Sequence, residues 1–139
     1  MFQHILVPTD LTERSIRTTH VAVEMADRFG ATVTLLHVIE TIPGATFDEL
    51  DEFYRKLEAD ARVKMAEDVA RLGHTDVKVT QQIIYGRRGR EILKFAAEER
   101  VDLIVLASHR LDPSDAEAGT STISFRVGLL SNCAVLLVK

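Results

Sequence analysis

The segment HILVPTDLT, residues 4–12, decides the fold. Its first five residues predict a strand without a polar face, and Asp10 follows in the loop that leads into a helix. Thr12 stands at the expected N-cap of that helix, and Gly30 predicts its end. A strand covered on both faces and followed by a helix is the repeating unit of a parallel sheet enclosed by helices.

The same alternation continues to the end of the chain. Apolar runs predict four more strands, and apolar residues at helical spacing predict helices between them. The further strands are expected at residues 31–39, 77–86, 101–107 and 133–139. The sequence therefore predicts one α/β domain, residues 1–139, built as a doubly wound, five-stranded parallel sheet. Ligands of such sheets bind beyond the carboxyl ends of the strands, where the winding reverses.

Composition limits the classes of function. The chain has 139 residues, of which 46% are hydrophobic and 27% charged, and this balance is typical of a globular protein. Its net charge of −4 argues against a nucleic-acid partner, because phosphate backbones are bound by basic surfaces. No apolar run is long enough to span a membrane, and the first strand starts too early for a signal peptide. We therefore expect a cytoplasmic protein, in which Cys133 is a small buried residue.

Four segments together resemble the universal stress protein family. The resemblance covers essentially the whole chain: HILVPTDLT at 4–12, LLHVIE at 35–40, YGRRGREILKFAAEERVDLIVLASHR at 85–110 and NCAVLLVK at 132–139. It implies the adenine-nucleotide alpha-hydrolase-like fold with strand order 3-2-1-4-5, and a homodimer paired through the last strand. It also implies a division between members that bind ATP or AMP and members that do not.

The loop after the fourth strand departs from the pattern of the nucleotide-binding members. That pattern is glycine, two residues, glycine, nine residues, then glycine with serine or threonine. Here the first two glycine positions are Ala107 and Arg110, and eight residues separate Arg110 from Gly119. The guanidinium of Arg110 could replace a lost backbone contact, because it donates forked hydrogen bonds to phosphate. The segment ASHR also resembles a subgroup of the family in which a similar segment replaces the glycine pair.

The resemblance implies a role for each candidate site residue. Asp10 would accept a hydrogen bond from the adenine amino group, Val38 would pack on the base, and Pro8 and Thr9 would flank it. The phosphates would be held by Ala107, Ser108, His109, Arg110, Gly119, Thr120, Ser121 and Thr122. Asp10 also has a structural interpretation, in which it accepts hydrogen bonds from the loop that begins the first helix.

Three acidic residues oppose phosphate binding in this loop. Asp112, Asp115 and Glu117 lie between the two halves of the proposed phosphate site. A carboxylate close to a triphosphate costs about 1 kcal/mol at a surface, unless Mg²⁺ or distance intervenes. The alternative is therefore an acidic surface loop that binds no nucleotide.

The sequence contains no recognisable catalytic constellation. The five histidines are scattered, neither a P-loop nor a dinucleotide-binding glycine trio occurs, and His109 is the only histidine at the expected site. We therefore predict weak ATP hydrolysis at most. Two functions remain open: a homodimeric stress-response protein that binds ATP or AMP, with or without Mg²⁺, and a dimeric interaction module that binds no nucleotide.

Overall fold

The structure is a computed structural model that describes residues 1–108 and 122–139. In these ranges the strands are β1 (His4–Pro8), β2 (Thr32–Glu40), β3 (Val79–Gly86), β4 (Leu103–Ala107) and β5 (Ala134–Val138). The helices are α1 (Glu13–Phe29), α2 (Asp51–Ala70), α3 (Arg88–Glu98) and α4 (Ile123–Leu130), and a 3-10 turn at Asp48–Leu50 precedes α2. None of the helices in the described part of the chain is both long and apolar enough to cross a bilayer.

The strands form one parallel sheet in the order β3-β2-β1-β4-β5, as predicted. The chain winds from β1 to β2 and β3 on one side, and then returns to place β4 and β5 on the other side. The winding therefore reverses between β1 and β4. Their carboxyl ends, at Pro8 and Ala107, flank the crevice in which ligands of such sheets bind.

Alternate residues of the central strand pack into two different layers. Ile5 and Val7 belong to a core that also contains Ala22 of α1 and Met65 of α2. Leu6, between them, belongs to a second core that contains residues of α3 and α4. Because helices cover both faces of the sheet, neither face of β1 can be polar, which is why its sequence is apolar throughout.

The first helix ends as predicted, but its start is built differently. Gly30 adopts φ 68°, a left-handed conformation that glycine reaches without a Cβ penalty. Thr12 is the N-cap residue, yet its side chain makes no cap hydrogen bond. Its hydroxyl donates instead to Asp10 Oδ1 at 2.6 Å. The predicted capping role of the Thr12 side chain is therefore wrong, and the hydroxyl supports the Asp10 loop.

An aromatic cluster fixes the connection between β2 and α2. Tyr54 is only 1% exposed, and its hydroxyl accepts a hydrogen bond from the Ile42 backbone N–H at 2.8 Å. Its ring stacks on Phe47 at 5.2 Å between centroids and meets the edge of Tyr85 at 5.8 Å. The Tyr85 hydroxyl in turn donates to Glu58 Oε1 at 2.9 Å. One buried side chain thus holds the loop, the helix and the strand together.

Cys133 is partly exposed, which corrects the expectation of a buried residue. Its Sγ lies 3.2 Å from Ser131 Oγ, and its backbone N–H donates to the same oxygen. The residue precedes β5, the edge strand of the sheet, and it packs against the core that contains residues of α3 and α4. Side chains near a sheet edge are less completely covered than those in central strands, so the exposure of Cys133 follows from its position.

Candidate functional site

A narrow cleft lies at the carboxyl ends of β1 and β4, where the strand order reverses. Its deep part has a volume of about 70 Å³, and Pro8 and Ala107 stand at the two strand ends. At Asp10, Val38 and Arg88 the cleft meets a wider depression of about 540 Å³ that extends along α2. A ligand could therefore occupy the narrow cleft and extend into the wider depression.

The two carboxylate oxygens of Asp10 differ in their hydrogen bonds. Its Oδ1 accepts hydrogen bonds from the Thr12 backbone N–H at 3.0 Å, the Thr12 hydroxyl at 2.6 Å and the Ser15 hydroxyl at 2.8 Å. Its Oδ2 has no hydrogen-bond partner in residues 1–108 and 122–139. The structural interpretation of Asp10 is therefore correct for one oxygen, while the other oxygen stays available as an acceptor.

The charge of the Asp10 carboxylate is favoured by these contacts. Partial burial raises the pKa of Asp10, but hydrogen bonds from Thr12 and Ser15 and the positive charge of Arg88 outweigh burial and hold the pKa below its usual value of 3.8. Arg88 also faces Glu40, with 3.6 Å between Arg88 Nε and Glu40 Oε1. The cleft thus contains an ionised acceptor and a guanidinium close together.

We expect Asp10 to make the stability of the protein depend on acid pH. A carboxyl whose pKa is lowered by folding stabilises the folded state above its unfolded pKa, and this stabilisation is lost as the pH falls through the folded pKa. Asp10→Asn should therefore be less stable than wild type at pH about 6, and the gap should close below pH about 4. Urea unfolding of both proteins across this range measures the gap. A gap that stays constant with pH would contradict this origin.

The loop between β1 and α1 is held by backbone and side-chain hydrogen bonds. Thr9 donates its N–H to the Leu36 carbonyl at 2.9 Å, and its hydroxyl accepts from the N–H of Leu11 at 3.0 Å. Leu11 adopts φ 65°, a left-handed conformation that is costly for leucine. His37 Nδ1 lies 2.8 Å from the Thr9 carbonyl, so Nδ1 carries the proton in this contact. These bonds fix the direction of Asp10.

Val38 and Ala107 form opposite walls of the cleft. Val38 belongs to β2 and is 3% exposed, while the partly buried Ala107 ends β4. Ser108 follows as a buried residue that donates its N–H to the Val138 carbonyl at 2.8 Å. Its hydroxyl accepts from Lys139 Nζ at 3.2 Å. Ser108 therefore ties the end of β4 to the end of β5.

Thr122 acts as the N-cap of α4. Its hydroxyl accepts a hydrogen bond from the Phe125 N–H at 3.1 Å and lies 3.2 Å from Ser124 Oγ. The first turn of α4 then brings Ile123 and Ser124 to the cleft. The helix that was predicted after the phosphate loop is thus present, and its first turn faces the expected binding region.

The structure brings together five of the candidate residues as cleft lining: Pro8, Thr9, Asp10, Val38 and Ala107. His109, Arg110, Gly119, Thr120 and Ser121 lie outside the described residues, as do the acidic residues 112, 115 and 117. Ser15, Ile92 and Ser124 also line the cleft, although they were not predicted from the sequence. Ser15 could have been found from its position five residues after Asp10, one turn into a helix that starts beside the site.

The described residues hold no group of three or more histidine, cysteine, aspartate or glutamate side chains that could bind a metal ion. Among the described candidates, Asp10 alone offers a carboxylate at the cleft, and Glu40 borders the wider depression. A Mg²⁺ ion here would therefore need most of its oxygen ligands from phosphate and water.

Comparison with known proteins shows the family of the chain. The model of the universal stress protein family matches residues 1–139. The chain belongs to this family. Its fold also matches solved universal stress protein structures, and the chain has the helix-covered parallel sheet of the adenine-nucleotide alpha-hydrolase-like fold.

Three solved structures show the extent of the similarity. UspA from Lactobacillus plantarum is 25% identical with a TM-score of 0.84, covering 99% of this chain and 98% of that one. MJ0577 from Methanocaldococcus jannaschii is 30% identical with a TM-score of 0.78, covering 100% and 96%. A universal stress protein in complex with cAMP is 22% identical with a TM-score of 0.74, covering 99% and 97%. The last structure shows an adenine nucleotide bound to a protein of this fold.

Proposed function

We propose that this universal stress protein binds an adenine nucleotide, ATP or AMP, in the cleft between β1 and β4, and acts in a stress response without efficient turnover. The observation that carries the proposal is the difference between the two carboxylate oxygens of Asp10. Oδ1 is held by Thr12 and Ser15, and Oδ2 is left as an acceptor at a cleft whose wall is apolar. An exocyclic amino group is a donor that suits this acceptor.

The walls of the cleft suit a flat apolar ring. Val38, Pro8 and Leu106 offer aliphatic surface close to the Asp10 carboxylate. A base that enters the narrow cleft buries its faces on these side chains and presents its polar edge to Asp10, and this combination favours adenine over a simple anion. The similarity to a protein bound to cAMP supports the same ligand class.

The phosphates would extend towards the first turn of α4. Backbone N–H groups at a helix N-terminus attract anions, and Ser124 adds a hydroxyl there. Arg88 supplies a positive charge at the cleft, although Glu40 shares it at 3.6 Å. The other proposed contacts, from Ser108 to Arg110 and from Gly119 to Thr122, include the five residues outside the described ranges. Mg²⁺ would offset the carboxylates of the same loop.

Isothermal titration with ATP and AMP, each with and without Mg²⁺, tests the proposal. We expect saturable heat with one site per chain, and stronger ATP binding when Mg²⁺ is present. Guanosine nucleotides are the matched control, because the guanine edge presents a carbonyl where adenine has an amino group. An absence of heat at millimolar adenine nucleotide would exclude the function, and equal binding of guanosine nucleotides would exclude the role of Asp10.

The absence of efficient turnover has a separate test. His109 is the only histidine of the predicted phosphate loop, and histidine is the side chain that most often transfers protons at neutral pH. We expect phosphate release from ATP to be slow in the wild-type protein and unchanged in His109→Ala. A fast release that His109→Ala abolishes would make the protein a hydrolase and refute this part of the proposal.

We also propose that two chains pair through β5 to form a homodimer. β5 is the last strand of the sheet, and Leu137 on it is 37% exposed. An unpaired apolar edge strand favours association with another strand. Light scattering should therefore give the mass of two chains at micromolar concentration, and Leu137→Glu should give the mass of one. A wild-type monomer would contradict the pairing.

A further inference from the structure

A basic groove lies between α3 and α4 and reaches the carboxyl ends of β2 and β3, where Glu40 and Gly86 border it. It consists of two adjoining depressions, of about 800 Å³ and about 280 Å³, that share Leu93 and Leu130. The groove runs beside α3 from its first turn to Arg100 beyond its last, and α3 has 11 residues. Its length is therefore about 16 Å, or three turns of a helix.

The floor of the groove is apolar and open to solvent. On α3, Leu93 and Ala97 are four residues apart and lie on one face of the helix. On α4, Ile123 and Leu130 are seven residues apart and face the same groove. Leu130 is 62% exposed. Such aliphatic surface gains free energy when a partner covers it.

The rim of the groove carries unpaired arginines. Arg87, Arg90 and Arg126 line the larger depression, and Arg100 lines the smaller one. Within residues 1–108 and 122–139, no carboxylate lies within 4.0 Å of these four guanidinium groups. The fifth arginine of the lining, Arg88, faces Glu40 at 3.6 Å. The chain as a whole has a net charge of −4, so the charge of this surface is opposite in sign to that of the whole protein.

We propose that the groove binds an acidic amphipathic segment of a partner protein. The segment would place apolar side chains on Leu93 and Leu130 and carboxylates beside Arg90 and Arg126. Guanidinium groups form forked hydrogen bonds with carboxylates, and apolar anchors on a helix recur every three to four residues, which matches the floor. This role goes beyond nucleotide binding and does not depend on it.

The shape and composition of the groove decide against other ligands. A small anion would use one or two arginines and leave the apolar floor uncovered along about three helical turns. A nucleic acid would require a basic surface without exposed leucine at its centre, on a chain of positive charge. An acidic segment with apolar anchors satisfies both the rim and the floor.

A labelled synthetic peptide tests this proposal. The probe is a fluorescein-labelled peptide of about 18 residues, with leucine at helical spacing and glutamate on both flanks. We expect saturable anisotropy that weakens with added salt. The double variant Arg90→Glu/Arg126→Glu should bind the peptide at least about tenfold more weakly, because it places like charges opposite the glutamates. Leu130→Ser should weaken binding about threefold or more, because it removes an apolar contact.

A matched variant and a matched peptide control for net charge. Arg14→Glu/Arg17→Glu changes the total charge by the same amount on the exposed surface of α1, and it should bind the peptide nearly as well as wild type. A peptide of the same composition in scrambled order should bind at least about fivefold more weakly. Circular dichroism melting of all variants checks that they are folded, since every substituted side chain is at the surface.

Three results would overturn the proposal. The first is equal binding of the two peptides, which means general charge attraction. The second is an equal loss in the α1 variant and the groove variant. The third is a wild-type oligomer that Arg90→Glu/Arg126→Glu dissociates in light scattering, which means that a second copy of the chain fills the groove. None of these results depends on whether ATP or AMP binds in the cleft.

Discussion

Asp10→Asn is expected to weaken adenine-nucleotide binding by at least about tenfold, the loss typical of one hydrogen bond to a charged group. The asparagine carbonyl can take the place of Oδ1 and still accept from Thr12 and Ser15, whose donors surround that oxygen. The amide nitrogen then occupies the place of Oδ2. There it donates, and it opposes the amino group of adenine instead of accepting from it.

The sign of this effect separates two physical explanations. If repulsion between Asp10 and the phosphates dominated, removal of the negative charge would strengthen binding. Asp27→Asn is the matched control, because Asp27 is an exposed residue of α1 that loses the same charge away from the cleft. Titration of both variants with AMP and ATP is the measurement. Unchanged or tighter binding by Asp10→Asn would contradict the proposed contact.

Tyr54→Ala should lower the free energy of unfolding by about 3–5 kcal/mol. The ring is 1% exposed and contacts Phe47, Phe53 and Tyr85, so its removal leaves a large cavity beneath the connection from β2 to α2. The Ile42 N–H also loses its acceptor. Both losses act on the same side of the sheet as the wider depression.

Tyr54→Phe separates the two contributions. It keeps the ring contacts and removes only the hydroxyl, so it should cost about 0.5–1.5 kcal/mol. Phe53→Ala provides a comparison on the same helix, because Phe53 is 48% exposed and should cost less than Tyr54→Ala. Urea unfolding of the three variants gives these values. A Tyr54→Ala loss no larger than that of Tyr54→Phe would show that packing of the ring contributes little.

The sequence was sufficient to predict most elements of the fold. β1 was predicted at its observed bounds because residues 4–8 have no polar face, and Gly30 ends α1 because only a left-handed residue fits there. Periodicity alone does not give the order of the strands, since every strand of a parallel sheet has a similar apolar pattern. The order 3-2-1-4-5 came from the family resemblance, and the structure confirms it.

The long helix shows where sequence periodicity fails. Apolar residues at helical spacing predict one helix over residues 47–72, with Phe47 and Leu57 among the residues of its buried face. In the structure the regular helix begins at Asp51, after a 3-10 turn. Phe47 and Leu57 are instead 49% and 37% exposed. Spacing shows which residues share a face, but it does not show how far the neighbouring sheet extends to cover that face.

The sequence predicts only some of the residues at the site. Asp10 follows β1 and Val38 lies near the carboxyl end of β2, so the topology alone places them at one edge of the sheet. Ser15 is near Asp10 in the sequence, but Ser124 reaches the cleft only because α4 begins beside it, and the sequence contains no local signal for that approach. Thr122 is a candidate phosphate contact, and its hydroxyl also caps α4. Competition between local capping and ligand binding depends on geometry that the sequence does not specify.

Arg88 and Ile123 border both the nucleotide cleft and the basic groove. Two ligands that share wall residues are thermodynamically linked when one of them changes the position of a shared side chain. If an occupied cleft draws Arg88 away from Glu40 and changes the affinity of the groove for a peptide, the peptide must change the affinity for nucleotide by the same factor. The side chain that joins the two spaces would then give this small domain a means of reporting its nucleotide state to another protein.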